Sequence, residues 1–163
     1  MITLKTFDRT PGLAELKVTY KRGRRSDNRQ AQMPWVLTDA VKAEEYLRTL
    51  WDKDTIDLRE EFVLVCLNTS LGVLGWVRLY TGGLDSTLVD PRLVFAVALQ
   101  TASAAIVVAH NHPSGSLVPS EQDKLLTRRL AEGARLLGLR LLDHLIVNRE
   151  GHYSFAAAGL VEA

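Results

Sequence analysis

The first apolar pattern in the chain is an alternation over residues 15–21, where Leu16, Val18 and Tyr20 are separated by charged residues and threonine. Such alternation predicts a half-exposed strand, which could stand at the edge of a sheet. The following residues, 21–32, hold charge, serine, asparagine and glutamine and almost nothing apolar, which predicts a surface loop. We therefore expect residues 1–34 to form an N-terminal strand and a basic loop that pack on the domain after them.

Apolar residues recur at three- and four-residue intervals in three stretches, which predicts helices over about residues 39–51, 91–102 and 121–137. Each stretch follows a residue that can cap a helix, namely Thr38, Asp90 and Ser120. Pro91 suits the first turn of the second helix. Gly138 predicts the end of the third.

The remaining apolar runs are short, which favours strands. The runs at 62–67 and 106–109 are continuous, as in strands covered on both faces. A turn after the first run predicts an antiparallel partner at about 73–80. Further strands are expected at 139–147 and 153–155. Because helices and strands interleave, residues 35–163 are predicted to form one α/β sandwich around a mixed central sheet.

Composition narrows the class of protein. The chain has 163 residues and a net charge of +1, which predicts a single main domain and argues against bulk electrostatic attraction to nucleic acid or to a membrane. Cys66 is the only cysteine, so an internal disulfide is ruled out and a reducing compartment is favoured. The sequence shows neither a signal-peptide pattern nor an apolar window of membrane-span length. We expect a cytoplasmic protein.

A polar cluster follows the buried run at 106–109. His110 and His112 are separated by one residue in extended chain, so both imidazoles project to the same side. Ser120 and Asp123 come a short loop later, and a cap at Ser120 would place Asp123 in the first helical turn. Taken alone, Ser120 and Asp123 also fit a capping box. Two imidazoles and a carboxylate, with an open position for water, are the ligand set of a catalytic zinc site.

The spacing His110-x-His112-x7-Ser120-x2-Asp123 resembles the metal motif of the JAB/MPN (JAMM) metalloprotease family. The sequence His-Asn-His-Pro-Ser-Gly at 110–115 and the later pair Asp143-His144 resemble the RadC-like branch of this family. The resemblance covers roughly residues 38–160. It implies a cytidine-deaminase-like α/β fold. It also implies Zn²⁺ held by His110, His112 and Asp123, with Ser120 assisting the oxyanion.

The same family uses a glutamate just before an apolar strand as general base. Both Glu60 and Glu61 stand there, and we prefer Glu61 because its step into Phe62 resembles the family more closely. If the strand begins at this point, the two side chains face opposite sides. The structural alternative for either residue is a solvated carboxylate at the strand edge.

The resemblance implies a zinc-dependent metallohydrolase that cleaves peptide or isopeptide bonds in a peptide or protein substrate by metal-activated water. One alternative is a DNA-repair-associated protein of the RadC type, whose basic run at 21–25 would contact phosphates. Another is a catalytically silent scaffold of the JAB/MPN kind. A zinc deaminase would need a Pro-Cys-x-x-Cys pair, which this sequence lacks. An exposed N-terminal strand could pair two copies into a homo-oligomer.

Other chemically capable residues have plainer interpretations. Cys66 lies inside an apolar run and is expected to be a buried thiol. Asp143 and His144 are expected to be hydrogen-bonded core residues, with contact to the metal site or the substrate as the alternative. His152 follows a turn glycine and is expected at the surface, and Arg92 is expected to cap or to form an ion pair.

Overall fold

The structure is a computed structural model that describes residues 2–6, 14–18, 35–52, 54–82 and 89–161. The chain divides into two compact units, Met1–Ala31 and Gln32–Ala163. In the first unit, β1 (Ile2–Thr6) and β2 (Ala14–Val18) form an antiparallel pair. Strand β2 lies where the alternation predicted a strand, whereas β1 was not anticipated. The predicted basic loop at 21–32 lies outside the described residues.

The second unit is built on a mixed sheet of five strands, ordered β4-β3-β5-β6-β7. The strands are β3 (Glu61–Leu67), β4 (Val73–Thr81), β5 (Ala105–Asn111), β6 (Arg140–Val147) and β7 (His152–Ser154). Only the β5–β6 pair is parallel, because the chain crosses over through a helix between them. The predicted α/β class with a mixed sheet is confirmed.

Among the residues that the structure describes, three helices cover this sheet: α1 (Ala40–Arg48), α2 (Pro91–Gln100) and α3 (Glu121–Leu136). Asp90 and Ser120 cap α2 and α3 as predicted. The predicted cap at Thr38 is wrong by one residue, because the Asp39 carboxylate accepts the hydrogen bond from the backbone N–H of Lys42 at 2.9 Å.

The apolar spacing that predicts α3 places Leu126, Leu130, Ala134 and Leu137 on one inward stripe, and this prediction is wrong at Leu137. Leu130 and Ala134 are buried as expected, but Leu137 is the C-cap residue and is 42% exposed. Gly138 follows with a φ of +69°, a left-handed conformation that ends the helix there. One turn before Leu130, the fully buried position of α3 is occupied by Thr127, a polar residue.

The sheet has a hydrophobic core on each face, and side-chain alternation decides which residue enters which core. Val63, Val65 and Leu67 of β3 pack with α1, whereas Phe62, Leu64 and Cys66 pack with α2 and α3. Every residue of β3 and of β5 is buried, as the continuous apolar runs predicted. At the end of β5, the same alternation sends the side chains of His110 and Asn111 to opposite faces.

Within the part of the chain that the structure describes, none of the helices combines the length and the apolar character needed to cross a membrane.

Candidate metal centre

His110, His112 and Asp123 come together where the end of β5 meets the first turn of α3. The Nε2 atom of His110 lies 3.1 Å from Oδ1 of Asp123 and 2.9 Å from Nε2 of His112. Nε2 of His112 lies 3.5 Å from the other carboxylate oxygen, Oδ2. Three ligand atoms from a strand end, a loop and a helix start therefore face a common point.

The separations of these atoms suit a tetrahedral metal ion. Ligand atoms about 2.0–2.1 Å from a tetrahedral centre lie about 3.3 Å from one another. The two histidine nitrogens are 2.9 Å apart, and each lies 3.1 or 3.5 Å from a different oxygen of the Asp123 carboxylate, which are separations close to this value. With one ligand atom taken from each residue, all three lie within 4.8 Å of one another. Two nitrogens and one carboxylate oxygen are the borderline and hard donors that zinc accepts. The residues present therefore fit zinc, with a fourth position left for water or substrate.

The imidazole of His112 is oriented by the loop that follows it. Its Nδ1 atom lies 2.9 Å from the carbonyl oxygen of Ser116, which can only accept a hydrogen bond. Nδ1 therefore carries the proton, and in the neutral ring Nε2 keeps its lone pair toward the other two ligands. Gly115 makes this turn with a φ of +75°, and its backbone N–H bonds the carbonyl of His112.

The charges of the three groups support one another. Burial alone would raise the pKa of the Asp123 carboxyl, but the adjacent His110 and His112 rings, which donate hydrogen bonds to it when they are protonated, outweigh burial and hold that pKa well below its usual range. The hydrogen bond to Asp123 also raises the pKa of His112 above its ordinary value. Asp123 is therefore a carboxylate across the neutral range, and the site favours a positive charge at the point where the three groups meet.

Ser120 touches the site through Asp123. Its hydroxyl lies 2.7 Å from Oδ2 of Asp123, and Oγ accepts the backbone N–H of Asp123 at 3.1 Å. The backbone N–H of Ser120 bonds the same Oδ2 at 2.7 Å, which completes a capping box. Ser120 and Asp123 therefore form the capping box that the sequence offered as an alternative. Asp123 can still act as a ligand, because its other oxygen, Oδ1, faces His110.

The structure does not place Glu61, the preferred general base, with the three ligands. Its side chain is buried between two arginines, with Nε of Arg59 and Nε of Arg78 each 3.0 Å from one of its carboxylate oxygens. The register explains this position. Phe62 pairs with His110 across the antiparallel strands β3 and β5. Glu61 precedes Phe62 and Asn111 follows His110, so the side chains of both point to the opposite face of the sheet.

Glu60 precedes Phe62 by two residues, just as His112 follows His110 by two, and both lie just outside the paired strands. Extended by these residues, the antiparallel register that pairs Phe62 with His110 predicts that Glu60 and His112 lie on one side. Its surroundings agree with this placement. Burial raises the pKa of the half-buried Glu60 carboxyl, His110 and His112 act to lower it, and the Asp123 charge acts to raise it. The charges of the three ligands therefore reach the Glu60 carboxyl.

Comparison with known proteins identifies the family of this chain. Residues 37–160 match the family described as the RadC-like JAB domain. The chain belongs to this family. Relatives named "UPF0758 protein" include one from Thermotoga maritima, 37% identical over 88% of this chain and 63% of its own length. Another, from Salinibacter ruber, is 36% identical over 97% of this chain and 69% of its own length.

"UPF0758 protein YfjY" from Escherichia coli is 44% identical over 63% of this chain and 64% of its own length. The chain spans between about two fifths and two thirds of the length of the first curated relatives it matches. The predicted membership of the RadC-like branch of the JAB/MPN family is confirmed.

In this RadC-like JAB domain, Asn111 holds the segment that carries Glu60. Its side-chain oxygen accepts hydrogen bonds from Nε1 of Trp51 at 3.1 Å and from the backbone N–H of Glu61 at 2.8 Å. Its side-chain nitrogen donates to the backbone carbonyls of Ile56 and Arg59. The amide is completely buried with both ends bonded, so it fixes the entry into β3. From the sequence, Asn111 is only the residue between the two histidines.

Two further polar residues lie behind the ligands of this RadC-like JAB domain. His144 is completely buried, with Nε2 2.8 Å from Nδ1 of His110 and Nδ1 2.7 Å from the hydroxyl of Thr127. His144 was singled out as a core residue with contact to the metal site as the alternative, whereas Thr127 was missed. The signal in the sequence that could have identified Thr127 is a polar residue at an inward position of α3.

The remaining candidates lie outside the site. Cys66 is a buried core thiol, as predicted. Asp143 accepts hydrogen bonds from the hydroxyl of Ser154 and the backbone N–H of Ala156, so its partners differ from those of His144. His152 is not a plain surface residue, because its Nδ1 lies 2.7 Å from Glu44 of α1. Arg92 pairs with Asp90 as expected.

Proposed function

We propose that this domain is a zinc-dependent hydrolase that cleaves amide bonds, either peptide or isopeptide, in a peptide or protein substrate. The observation that carries the proposal is the convergence of His110, His112 and Asp123, in which the two histidine Nε2 atoms lie 2.9 Å apart and each lies within 3.5 Å of a carboxylate oxygen of Asp123. When bound, zinc in such a site activates water and polarises a carbonyl group. The side chains of His112 and Asp123 are 17% and 13% exposed, so the site can be reached from solvent.

We assign the general-base role to Glu60 rather than to Glu61. A general base must reach the attacking water and hold a pKa near the working pH. Glu60 lies on the face of the histidines, and burial raises the pKa of its carboxyl, which moves it toward neutrality. Glu61 is bound by two arginines and has no free oxygen directed at the site. In this scheme Glu60 takes a proton from water and delivers it to the leaving amine.

Ser120 is the proposed donor to the oxyanion. Its hydroxyl stands next to the ligand carboxylate at the exposed start of α3, where backbone N–H groups also favour negative charge. To serve in this role the hydroxyl must leave Oδ2 of Asp123 and turn toward the substrate. A single donor of this kind typically contributes about 3 kcal/mol to the transition state.

The experiment that tests this function is cleavage of a peptide library and of isopeptide-linked peptide pairs by the purified chain. Activity should require zinc, disappear with a chelator and return when zinc is added back. The control is Asp123→Ala, which should remain inactive after zinc is added. Stoichiometric zinc binding without cleavage of any peptide or isopeptide would favour the alternative of a catalytically silent scaffold over the hydrolase.

A further inference from the structure

A continuous chain of hydrogen bonds connects two of the three ligands through the protein interior. Nδ1 of His110 lies 2.8 Å from Nε2 of His144, and Nδ1 of His144 lies 2.7 Å from Oγ1 of Thr127. Oγ1 of Thr127 donates to the backbone carbonyl of Asp123 at 2.7 Å. The chain thus runs from a ligand on β5, through β6, to the backbone of a ligand on α3.

The direction of every bond in this chain follows from its last member. A carbonyl oxygen can only accept, so the Thr127 hydroxyl hydrogen must lie between Oγ1 and the Asp123 carbonyl. Oγ1 then accepts from His144, whose single proton is on Nδ1. Nε2 of His144 is left as an acceptor, and His110 must donate from Nδ1. The opposite direction would leave two oxygen lone pairs facing each other at 2.7 Å.

This direction determines which nitrogen of His110 is available to a metal. With its proton on Nδ1, the neutral ring of His110 has a lone pair on Nε2, the atom that faces Asp123 and His112. The opposite tautomer would place a proton on Nε2 and block that position. The hydrogen-bond chain therefore selects the form of His110 that can bind a cation.

The surroundings of His144 keep its ring in place and neutral. The ring stacks on Phe155 with centroids 4.7 Å apart, and the edge of Phe62 approaches it at 5.9 Å. The ring is completely buried, where a charged imidazolium is disfavoured. A buried imidazole is tolerated when both nitrogens are bonded, and here both are. The ring is thus a fixed, uncharged connector between the two ligands.

We infer that Thr127 and His144 are positioning residues of the metal site, which set the tautomer of His110 and tie it to the helix turn that carries Asp123. The inference rests on the proposed metal site but not on the hydrolytic activity. Loss of an outer hydrogen bond to a ligating histidine typically weakens metal affinity about 10- to 100-fold. Neither residue touches the substrate in this assignment.

The first test measures zinc affinity of the full chain by competition with a chelator. Thr127→Val keeps the shape of the side chain and removes the hydroxyl, so zinc affinity should fall at least about 10-fold. Thr127→Ser should restore it. The matched control is Thr101→Val at the C-cap of α2, where the hydroxyl donates to the backbone carbonyls of Val97 and Ala98 away from the imidazoles. Equal zinc affinity in Thr127→Val and the unaltered protein would overturn the inference.

The second test is made without metal and therefore separates this inference from the proposed function. Long-range ¹H–¹⁵N correlation of the histidine side chains reports which ring nitrogen carries the proton. In the metal-free chain, His110 and His144 should both be protonated at Nδ1, and Thr127→Val should shift both toward Nε2. Protonation of His110 at Nε2 and not at Nδ1 in the unaltered chain would refute the inference, whatever substrates the enzyme cleaves.

Discussion

The side-chain oxygen of Asn111 accepts a hydrogen bond from the backbone N–H of Glu61 at 2.8 Å. This contact, with the two bonds that the Asn111 nitrogen donates to Ile56 and Arg59, fixes the chain at the start of β3. Asn111 also follows His110 directly on β5. One strand end therefore supplies a ligand on one face and, on the other, the anchor that holds Glu60 in position.

Substitution of Asn111 should lower both the free energy of unfolding and the rate of peptide cleavage. Asn111→Asp keeps the acceptor but sets carboxylate oxygens against two carbonyl groups, so the free energy of unfolding should fall by about 3 kcal/mol. Turnover should also fall, because the segment carrying Glu60 loses its attachment. Asn68→Asp is the matched control, since Asn68 uses only its side-chain oxygen, as acceptor for Ser70 and Gly72. Denaturant unfolding and peptide cleavage measure both effects, and an Asn111→Asp variant of normal stability would contradict this role.

The two adjacent glutamates should respond to substitution in opposite ways. Glu60→Gln should retain zinc and lower turnover by about 100-fold or more, because the proton acceptor is lost while the ligands are intact. Glu61→Gln should retain turnover per folded molecule but lower the free energy of unfolding by about 1–3 kcal/mol, because two arginines lose their ionic partner. Zinc content, cleavage rate and urea unfolding of both variants decide the assignment. Normal turnover in Glu60→Gln would return the role to Glu61.

Ser120 serves as a helix cap in the structure and is proposed as an oxyanion donor, and two substitutions distinguish these roles. Ser120→Ala should lose about 1 kcal/mol of stability, whereas glycine, a tolerated cap, should lose only a few tenths. Both variants lack the hydroxyl, so both should lose about 100-fold or more in turnover if Ser120 donates to the oxyanion. Cleavage rates and thermal unfolding are the measurements. Full turnover in Ser120→Gly would limit the residue to capping.

Zinc affinity should depend on pH through His112. A proton and a metal ion compete for Nε2 of this ring, and the Asp123 carboxylate raises the pKa of His112 above its ordinary 6.5. Affinity should therefore be nearly constant above that raised pKa and should fall as the pH drops through it. Competition with a chelator whose own protonation is corrected for, across pH 5 to 9, measures the curve. An affinity that does not weaken on acidification would exclude His112 as a ligand.

The fold and the ligand set were accessible from sequence because each depends on a local pattern. Continuous apolar runs identified β3 and β5, and the two-residue spacing of His110 and His112 placed their rings on one side. The choice between Glu60 and Glu61 was not accessible in the same way. It depends on the register of β3 against β5, which sets Phe62 opposite His110, and the sequence of one strand does not contain its register with another.

The contacts behind the ligands could not be predicted for a related reason. Thr127 and His144 lie 17 residues apart and meet only because α3 packs across β6. A threonine in a helix and a histidine in an apolar strand are each ordinary by themselves. Likewise, Thr38 and Asp39 are both good helix caps, and only the bond from Lys42 to the Asp39 carboxylate identifies the cap.

The most direct measurement is the zinc content of the chain and its ligand variants, determined by elemental analysis after purification and dialysis against buffer with a defined zinc concentration. The unaltered chain and Glu60→Gln should each hold one zinc ion per molecule, whereas His110→Ala, His112→Ala and Asp123→Ala should hold none. Circular dichroism should show that the three alanine variants are folded. Full zinc content in the folded alanine variants, or no zinc in the unaltered chain, would contradict a metal centre built from these residues.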